Sequence, residues 1–403
     1  MPRISDREEL VYLLAEASEL EHALCCCYLF AAFSLKRDQS EDLSASELDA
    51  VKRWERTIAG VAVQEMLHLA LASNLLTALG AAPHLRRPNF PIHSKYLPLS
   101  LRRFEERTLD HFIFIERPDG MVIPDAPGFE APLASADGSG PDGVEPVDVP
   151  FATVGHLYRD IEEGFKALCA KYGEERVFIG PPRAQATAAY FPFRGLMAVT
   201  DMASAVKAIE EIVEQGEGLR GDIENSHYAR FLSIRGELDR LRAGRPEFEP
   251  ARPVMENPVI EHPDARAVGE LFNASYALMV EMLMRFFSHT EESDEELSTL
   301  VATAVGMMQS VVKPLGPMLT SMPAGAAGDG ARAGPGFEFY ASIDLLPHRD
   351  AAWAIFDERF TELAEFSGQL AARAGLLAGL DRVHARIESL AANLRRHRRA
   401  PVG

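Results

Sequence analysis

Two segments of the sequence place a glutamate and a histidine three residues apart, in the pattern Glu-x-x-His. They are Glu65 with His68, and Glu224 with His227. Residues at this spacing lie on one side of an α-helix, so each pair presents a carboxylate and an imidazole together. Both pairs interrupt stripes of apolar residues, and buried polar groups require a metal ion or a polar partner. The two pairs therefore predict metal ligation inside a helical protein.

A single glutamate, Glu21, interrupts a third apolar stripe, which Tyr28 continues two turns later. This tyrosine either packs in the core or faces the same cavity as Glu21. Two Glu-x-x-His pairs and two single glutamates on four helices form the ligand set of di-iron and di-manganese carboxylate proteins. Oxygen-rich ligation with two imidazoles favours iron or manganese over structural zinc. We therefore predict two metal ions, iron first and manganese as the alternative.

The second single glutamate is left open by the sequence. Glu217 lies in line with the apolar stripe of its helix, Glu162 flanks another stripe, and Glu214 is turned further away. The order of preference is Glu217, then Glu162, then Glu214. The predicted metal-ligating residues are, in chain order, Glu21, Glu65, His68, Glu162, Glu214, Glu217, Glu224 and His227.

The elements that must position these residues are helices. Apolar stripes predict two long antiparallel helices over residues 6–36 and 45–80, joined by a short polar turn. Residues 80–150 are rich in proline and glycine, which predicts a long crossover with one short strand or helix near 111–116. Helical spacing then returns in three segments, near 154–168, 202–213 and 223–242. The predicted fold class is all-α, with a four-helix bundle containing one long crossover.

A second helical region follows the bundle. The stretch 244–263 contains five prolines and is the predicted domain boundary, between a metal-binding bundle at 1–243 and a helical domain at 264–403. In the second domain, apolar stripes predict further helices near 264–289, 293–321 and 350–397.

Composition restricts the class of protein. Hydrophobic residues make up 47% of the chain and charged residues 25%, as in ordinary globular proteins. The net charge of −19 disfavours binding to nucleic acids or to anionic membranes. The charged residues 6–9 do not match a secretory signal peptide, no apolar run approaches the length of about 20 residues that spans a bilayer, and three of the four cysteines are consecutive. We predict a cytoplasmic protein with small-molecule partners; a homo-oligomer stays open.

The sequence resembles the ferritin-like domain family that includes the iminophenyl-pyruvate dimer synthases of violacein-type pigment pathways. The motifs that carry the resemblance are ELEHA at 19–23, QEMLHL at 64–69, NLLTALG at 74–80, IVEQGEG at 212–218 and SHYARF at 226–231. Residues 333–340 and 346–359 also look like the C-terminal helical part of such proteins. The resemblance implies a ferritin-like bundle and, in the pigment branch, oxidative coupling of two aromatic imino acids. This chain is much shorter than those pigment enzymes.

These observations lead to three functional hypotheses. The first is a metal-dependent oxidoreductase of secondary metabolism, in which two metal ions activate dioxygen or peroxide toward a small organic substrate. The second is a non-catalytic bundle that binds metal for stability or binds a protein partner. The third is a metal-free descendant, in which the glutamates and histidines pair by hydrogen bonds.

Overall fold

Helices form the regular secondary structure of the part of the chain that the computed structural model describes, and that part contains no β-strand. The described residues are residue 4 and residues 6–92, 97–129, 151–218, 223–325, 330–340, 345, 347–373 and 377–397. The prediction of an all-α fold is confirmed. Packing divides the chain into two compact units, Met1–Ser100 with Phe104–Ala251, and Leu101–Arg103 with Arg252–Gly403. The division after Ala251 falls inside the proline-rich stretch 244–263.

The first unit contains seven helices among its described residues. They are α1 (Arg7–Ser34), α2 (Ala45–Ala78), α3 (Glu106–Ile115), α4 (Val154–Tyr172), α5 (Glu174–Val177), α6 (Met202–Glu217) and α7 (His227–Gly244).

Side chains before the helices fix where the long helices begin. The Asp6 carboxylate accepts a hydrogen bond from the backbone of Glu9 at the start of α1. Ser44 and Glu47 form a capping box at the start of α2. Such caps satisfy backbone N–H groups that have no partner within the helix. The predicted helices at 6–36 and 45–80 are confirmed as α1 and α2.

The bundle is a ring of four helices. Helix α1 packs along α2, α2 against α6, α6 against α4, and α4 against α1. Their apolar stripes meet in a common interior that contains fully buried aromatic side chains, including Tyr28, Tyr158 and Phe165. Helix α7 lies outside this ring and packs against α2, α3 and α6. The interior of the ring is where Glu21 and Glu65 are buried.

The predicted crossover lies between α2 and α4. The short element expected near 111–116 is the helix α3, which begins earlier, at Glu106, and ends at Ile115. Its apolar residues Leu109, Phe112 and Ile115 are buried. The predicted crossover range also includes residues 93–96 and 130–150, which lie outside the described residues.

Helix α7 begins four residues later than the periodicity predicts. The Ser226 hydroxyl accepts a hydrogen bond from the backbone N–H of Ala229, so the first helical residue is His227. Glu224 lies in a preceding 3₁₀ turn, Ile223–Asn225. The prediction that Glu224 and His227 share one helix face is therefore wrong, because a helix cap separates them.

The described residues of the second unit form five further helices. They are α8 (Pro263–Phe287), α9 (Asp294–Met307), α10 (Lys313–Leu319), α11 (Arg349–Ala371) and α12 (Leu380–His397). A π-helical segment, Met308–Val312, joins α9 to α10. The stretch predicted as one helix over 350–397 is two helices, α11 and α12. Arg285 donates to both oxygens of the buried Glu292 carboxylate, at 2.5 and 2.8 Å, which connects the end of α8 to the chain before α9.

One helix of the described chain, α2, is long and apolar enough to cross a membrane by length and composition. In the structure 67% of its most apolar window is buried inside the protein. Core helices of globular proteins meet the same two criteria, and the burial of α2 in the bundle matches that class.

Candidate metal centre

The centre of the site is the Glu65 carboxylate, which lies between two imidazoles. Its Oε2 is 3.0 Å from Nδ1 of His68, on the same face of α2. Its Oε1 is 2.9 Å from Nδ1 of His227, the first residue of α7. All three side chains are buried. Glu65 therefore contributes one oxygen to each of two neighbouring groups of ligand-type atoms.

The first group consists of Glu21, Glu65 and His68. Their ligand-type atoms lie within 4.8 Å of one another, and Oε2 of Glu21 is 3.5 Å from Nδ1 of His68. On the far side, the hydroxyl of Tyr158 donates to Oε1 of Glu21 at 2.7 Å. Helices α1 and α2 supply the three ligand-type side chains, and α4 supplies the tyrosine that orients Glu21.

The second group consists of Glu65, Glu116 and His227, again within 4.8 Å of one another. Oε2 of Glu116 is 3.5 Å from Nδ1 of His227. The hydroxyl of Tyr28 donates to Oε1 of Glu116. Glu116 follows the last turn of α3, so this group depends on the crossover and on α7 as well as on the four-helix ring.

Apolar and aromatic side chains surround the second group. The ring of Tyr28 lies 4.6 Å from that of Phe112 and 5.1 Å from that of Phe231. The rings of His68 and His227 face each other at 5.5 Å. Because this environment has a low dielectric constant, uncompensated charges among the ligand-type atoms would be costly.

The titration of these groups follows from burial and from mutual charge. Burial raises the pKa of Glu21 to about 8. Burial alone would raise the pKa of Glu65, but the imidazoles of His227 and His68 hold it below its usual value. Burial alone would lower the pKa values of both histidines, but Glu65 raises that of His68, and Glu65 with Glu116 raises that of His227 to about 9. Burial thus favours the protonated form of Glu21, and the neighbouring carboxylates favour the protonated forms of both imidazoles.

A cavity of about 10 Å³ adjoins both groups. Carboxylates, one imidazole and apolar residues line it; the lining includes Glu21, Glu65, His68, Glu116, Tyr158 and Ile212. This volume corresponds to about one water molecule. The cavity can therefore hold a small molecule beside the ligand-type atoms but not an aromatic ring.

A comparison with protein-family models agrees with this geometry. The model described as Ferritin-like matches residues 14–236 of this chain, a range that includes both groups. The chain belongs to the ferritin-like family.

Two curated relatives of this ferritin-like chain are named as enzymes. Dichlorochromopyrrolate synthase of Lentzea aerocolonigenes is 29% identical over 90% of this chain and 39% of its own length. The 2-imino-3-(indol-3-yl)propanoate dimerase of Chromobacterium violaceum is 27% identical over 83% of this chain and 34% of its own length. The chain thus spans little more than a third of the length of these relatives. Its resemblance to the violacein-pathway branch of the family is confirmed.

A solved structure is also similar. The crystal structure of a ferritin-like protein from Caulobacter vibrioides aligns with a TM-score of 0.48 and 20% sequence identity. The alignment covers 78% of this chain and 98% of that one.

Glu217, the first choice from the sequence for the fourth glutamate, lies at the edge of the site in the ferritin-like bundle. Glu217 is buried at the end of α6 and lines the same cavity as Glu21 and Glu65. Its Oε2 accepts a hydrogen bond from the backbone of Asp119 at 3.1 Å and lies 3.5 Å from the Arg159 guanidinium. Burial raises the pKa of the Glu217 carboxyl. Glu217 belongs to neither of the two ligand groups found among the described residues.

The three remaining glutamates proposed from sequence lie outside both groups. Glu162 is half-buried on α4 and pairs with Lys166 at 2.7 Å. Glu214 is exposed on α6. Glu224 is exposed in the turn before α7. In each case the side chain points away from the interior, because the helix face or the cap turns it toward solvent.

Two residues of the site were missed in the sequence. Glu116 continues the helical spacing of Leu109 and Phe112, but this apolar stripe is short and lies within the proline- and glycine-rich crossover. Tyr158 precedes Ile161 and Phe165 at helical spacing and is fully buried. Both signals are present in the sequence, but the spacing alone does not distinguish these residues from ordinary core residues. Only the positions of the neighbouring carboxylates identify them as part of the site.

Replacement of the orienting tyrosine gives a direct test of this arrangement. We expect Tyr158→Phe to lower the free energy of unfolding of the metal-free protein by about 1 to 3 kcal/mol, because Oε1 of buried Glu21 loses its donor. The measurement is chemical denaturation after treatment with a chelator. Tyr172→Phe, at the exposed end of the same helix, is the matched control and should change stability by less than about 0.5 kcal/mol. Equal stability of the two variants would contradict the assigned role of Tyr158.

Proposed function

We propose that this chain is a metal-dependent oxidoreductase whose two ligand groups, sharing Glu65, hold two metal ions. The observation that carries the proposal is the shared carboxylate: the oxygens of Glu65 lie 3.0 and 2.9 Å from two buried imidazoles, with Glu21 and Glu116 completing the groups. Bridging carboxylates of this kind offset the repulsion between neighbouring cations. The proposed ligands are Glu21, Glu65, His68, Glu116 and His227.

The donor atoms fit metal ions better than they fit one another. Oε1 of Glu65 and Nδ1 of His227 form an ion pair at 2.9 Å that lacks hydrogen-bond geometry, and Nε2 of His227 makes no hydrogen bond to any described residue. Buried polar atoms without hydrogen bonds are costly unless a ligand satisfies them. Three carboxylates and two imidazoles form an oxygen-rich set, which favours iron and then manganese.

When bound, two such metal ions would supply binding and reduction of dioxygen or peroxide, and with it the oxidising power for an organic substrate. The chain's own residues would prepare the site. Tyr158 and Tyr28 hold Glu21 and Glu116 in place through hydrogen bonds. The rings of Phe112 and Phe231 pack against Tyr28 and would limit the access of water to the second group.

The class of substrate is proposed from the relatives. One of them is named for dimerising an indole-bearing imino acid, so we infer an aromatic imino acid as the organic substrate. The cavity of about 10 Å³ accommodates dioxygen or peroxide and excludes an aromatic ring. In the proposed arrangement, the small oxidant is handled beside Glu65 and the aromatic substrate is oxidised from outside this cavity.

The same small cavity supports a second candidate function. A bundle that binds metal for stability, without turnover, also requires buried ligands and excludes organic molecules from the metal ions. The two functions share the metal and differ in whether electrons reach an organic substrate.

Metal analysis tests the ligand assignment. Protein from iron-supplemented cells should contain two metal ions per chain, Glu65→Ala should lose both because Glu65 serves both groups, and His227→Ala should lose one. The measurement is inductively coupled plasma mass spectrometry of the purified chains. Glu224→Ala and Glu214→Ala are the controls and should keep both ions, since their side chains are exposed. Wild-type protein with no more metal than Glu65→Ala would refute the proposed centre.

Metal binding should depend on pH with a defined sign. Burial raises the pKa of Glu21 to about 8, and Glu65 with Glu116 raises that of His227 to about 9, so both groups hold protons at neutral pH. A metal ion must displace these protons and the proton that Glu65 favours on His68, so affinity for Mn²⁺ should rise with pH, by up to about tenfold per unit for each proton displaced.

Calorimetric titration with Mn²⁺ in buffers of different ionisation enthalpy counts the protons released. The control is His227→Ala, which should release fewer protons and bind one ion less. Affinity that stays constant between about pH 6.5 and pH 8 would contradict ligation by Glu21 and His227.

Turnover separates the two candidate functions. The reduced, iron-loaded chain should consume oxygen faster when an aromatic amino-acid-derived imine is present, and should form a coupled product detectable by mass spectrometry. Glu65→Ala should abolish the increase. Oxygen consumption that is independent of every imine, in protein carrying both metal ions, favours the non-catalytic bundle.

A further inference from the structure

Side-chain amides contact the imidazole of His68 on the side opposite Glu65. Its Nε2, the nitrogen facing away from Glu65, lies 3.2 Å from Oε1 of Gln215 on α6. The amide nitrogen of Gln215 donates to Oε1 of Glu211 at 2.6 Å. The amide nitrogen of Gln64 donates to Oε1 of Gln215 at 3.0 Å. These hydrogen bonds form a chain of side-chain amides that joins α2 to α6 directly behind the first ligand group.

Charged groups at both ends of this chain decide which way each amide faces. The Glu211 carboxylate only accepts hydrogen bonds, so it holds the NH₂ group of Gln215. The Arg230 guanidinium only donates, and it holds the oxygen of Gln64 at 2.5 Å. The amide oxygen of Gln215 is therefore turned toward His68 and can only accept.

An acceptor at this position determines which nitrogen of the His68 ring carries the hydrogen. Nε2 of His68 must carry the hydrogen that Gln215 accepts, which leaves Nδ1 as the nitrogen available for ligation. Nδ1 is also the nitrogen that faces Glu65 and Glu21, at 3.0 and 3.5 Å. The amide chain and the carboxylates thus select the same orientation of the imidazole from opposite sides.

The second imidazole has a different environment. Nε2 of His227 is buried and makes no hydrogen bond to any described residue. The two ligand groups therefore differ in one respect: the orientation of His68 is fixed by α6, whereas the orientation of His227 is not fixed through Nε2.

We propose that Gln215 is a positioning residue that presets His68 for metal binding and thereby makes the Glu21–Glu65–His68 group the tighter of the two. The proposal rests on the metal-binding function proposed above. Neither Gln215 nor Glu211 would touch the metal, and both act through the ring of His68. Hydrogen bonds of this type to a ligating histidine change metal affinity by about 10- to 100-fold.

The test is the binding of Mn²⁺ alone to the full chain, measured by calorimetric titration. Wild-type protein should bind two ions. Gln215→Met keeps the side-chain length and removes the acceptor. It should lower the affinity for one of the two ions by about 10- to 100-fold and leave the affinity for the other within about threefold of wild type. A role limited to general stability would weaken both ions together.

A second variant tests whether the lost affinity for Mn²⁺ can be restored. Exchanging the two groups, in the double variant Gln215→Glu with Glu211→Gln, keeps an oxygen facing His68 and an amide donor behind it. This variant should restore the weakened ion to within about threefold of wild type. Lys207→Met, an exposed position on the same helix, is the matched control and should bind both ions as wild type does.

If Gln215→Met does not fold, Glu211→Met at a half-buried position takes its place and should weaken the same single ion by a smaller factor. Unchanged binding by the folded variant, equal weakening of both ions, or no recovery in the exchanged double variant overturns the role of Gln215. Wild-type protein that binds no Mn²⁺ overturns the proposed metal centre itself. The two failures are therefore distinguishable.

Discussion

The structure of the bundle interior depends on one constraint: a buried carboxylate must be compensated from more than one direction. Glu65 lies at the middle of a 34-residue helix, where burial penalises its charge. Two imidazoles reach it, one from its own helix and one from the start of α7. Removing either partner would leave a buried charge without its compensating partner, which is strongly destabilising. The surrounding helices are arranged so that both partners stay in place.

This constraint explains why the site extends beyond the four-helix ring. Helices α1 and α2 lie side by side and supply Glu21, Glu65 and His68, so one ligand group lies within the ring. The second group requires Glu116 and His227, which come from the ends of two helices outside it. Helix ends are positioned by caps and loops rather than by continuous stripes. The crossover and α7 are therefore part of the site rather than connections around it.

Polar residues around the two groups orient the ligand-type atoms. Tyrosines donate to the outer oxygens of Glu21 and Glu116, and an amide accepts from the far nitrogen of His68. Each of these contacts limits a side chain to one orientation, which would reduce the reorganisation that the proposed metal binding requires. The cavity of about 10 Å³ beside them has room for about one water molecule.

The sequence by itself determined the long helices of the bundle and the inward stripes that carry Glu21, Glu65 and His68. Helical periodicity and capping side chains are local, so both could be recognised along the chain. Only the tertiary structure decided that Glu116 joins Glu65 and His227, and that Glu224 does not. The reason is physical: Glu116 is separated from Glu65 by 51 positions in the chain and meets it only when the crossover packs, while the Ser226 cap starts α7 after Glu224. Spacing reports which residues share a face of one helix, and only packing reports which faces meet.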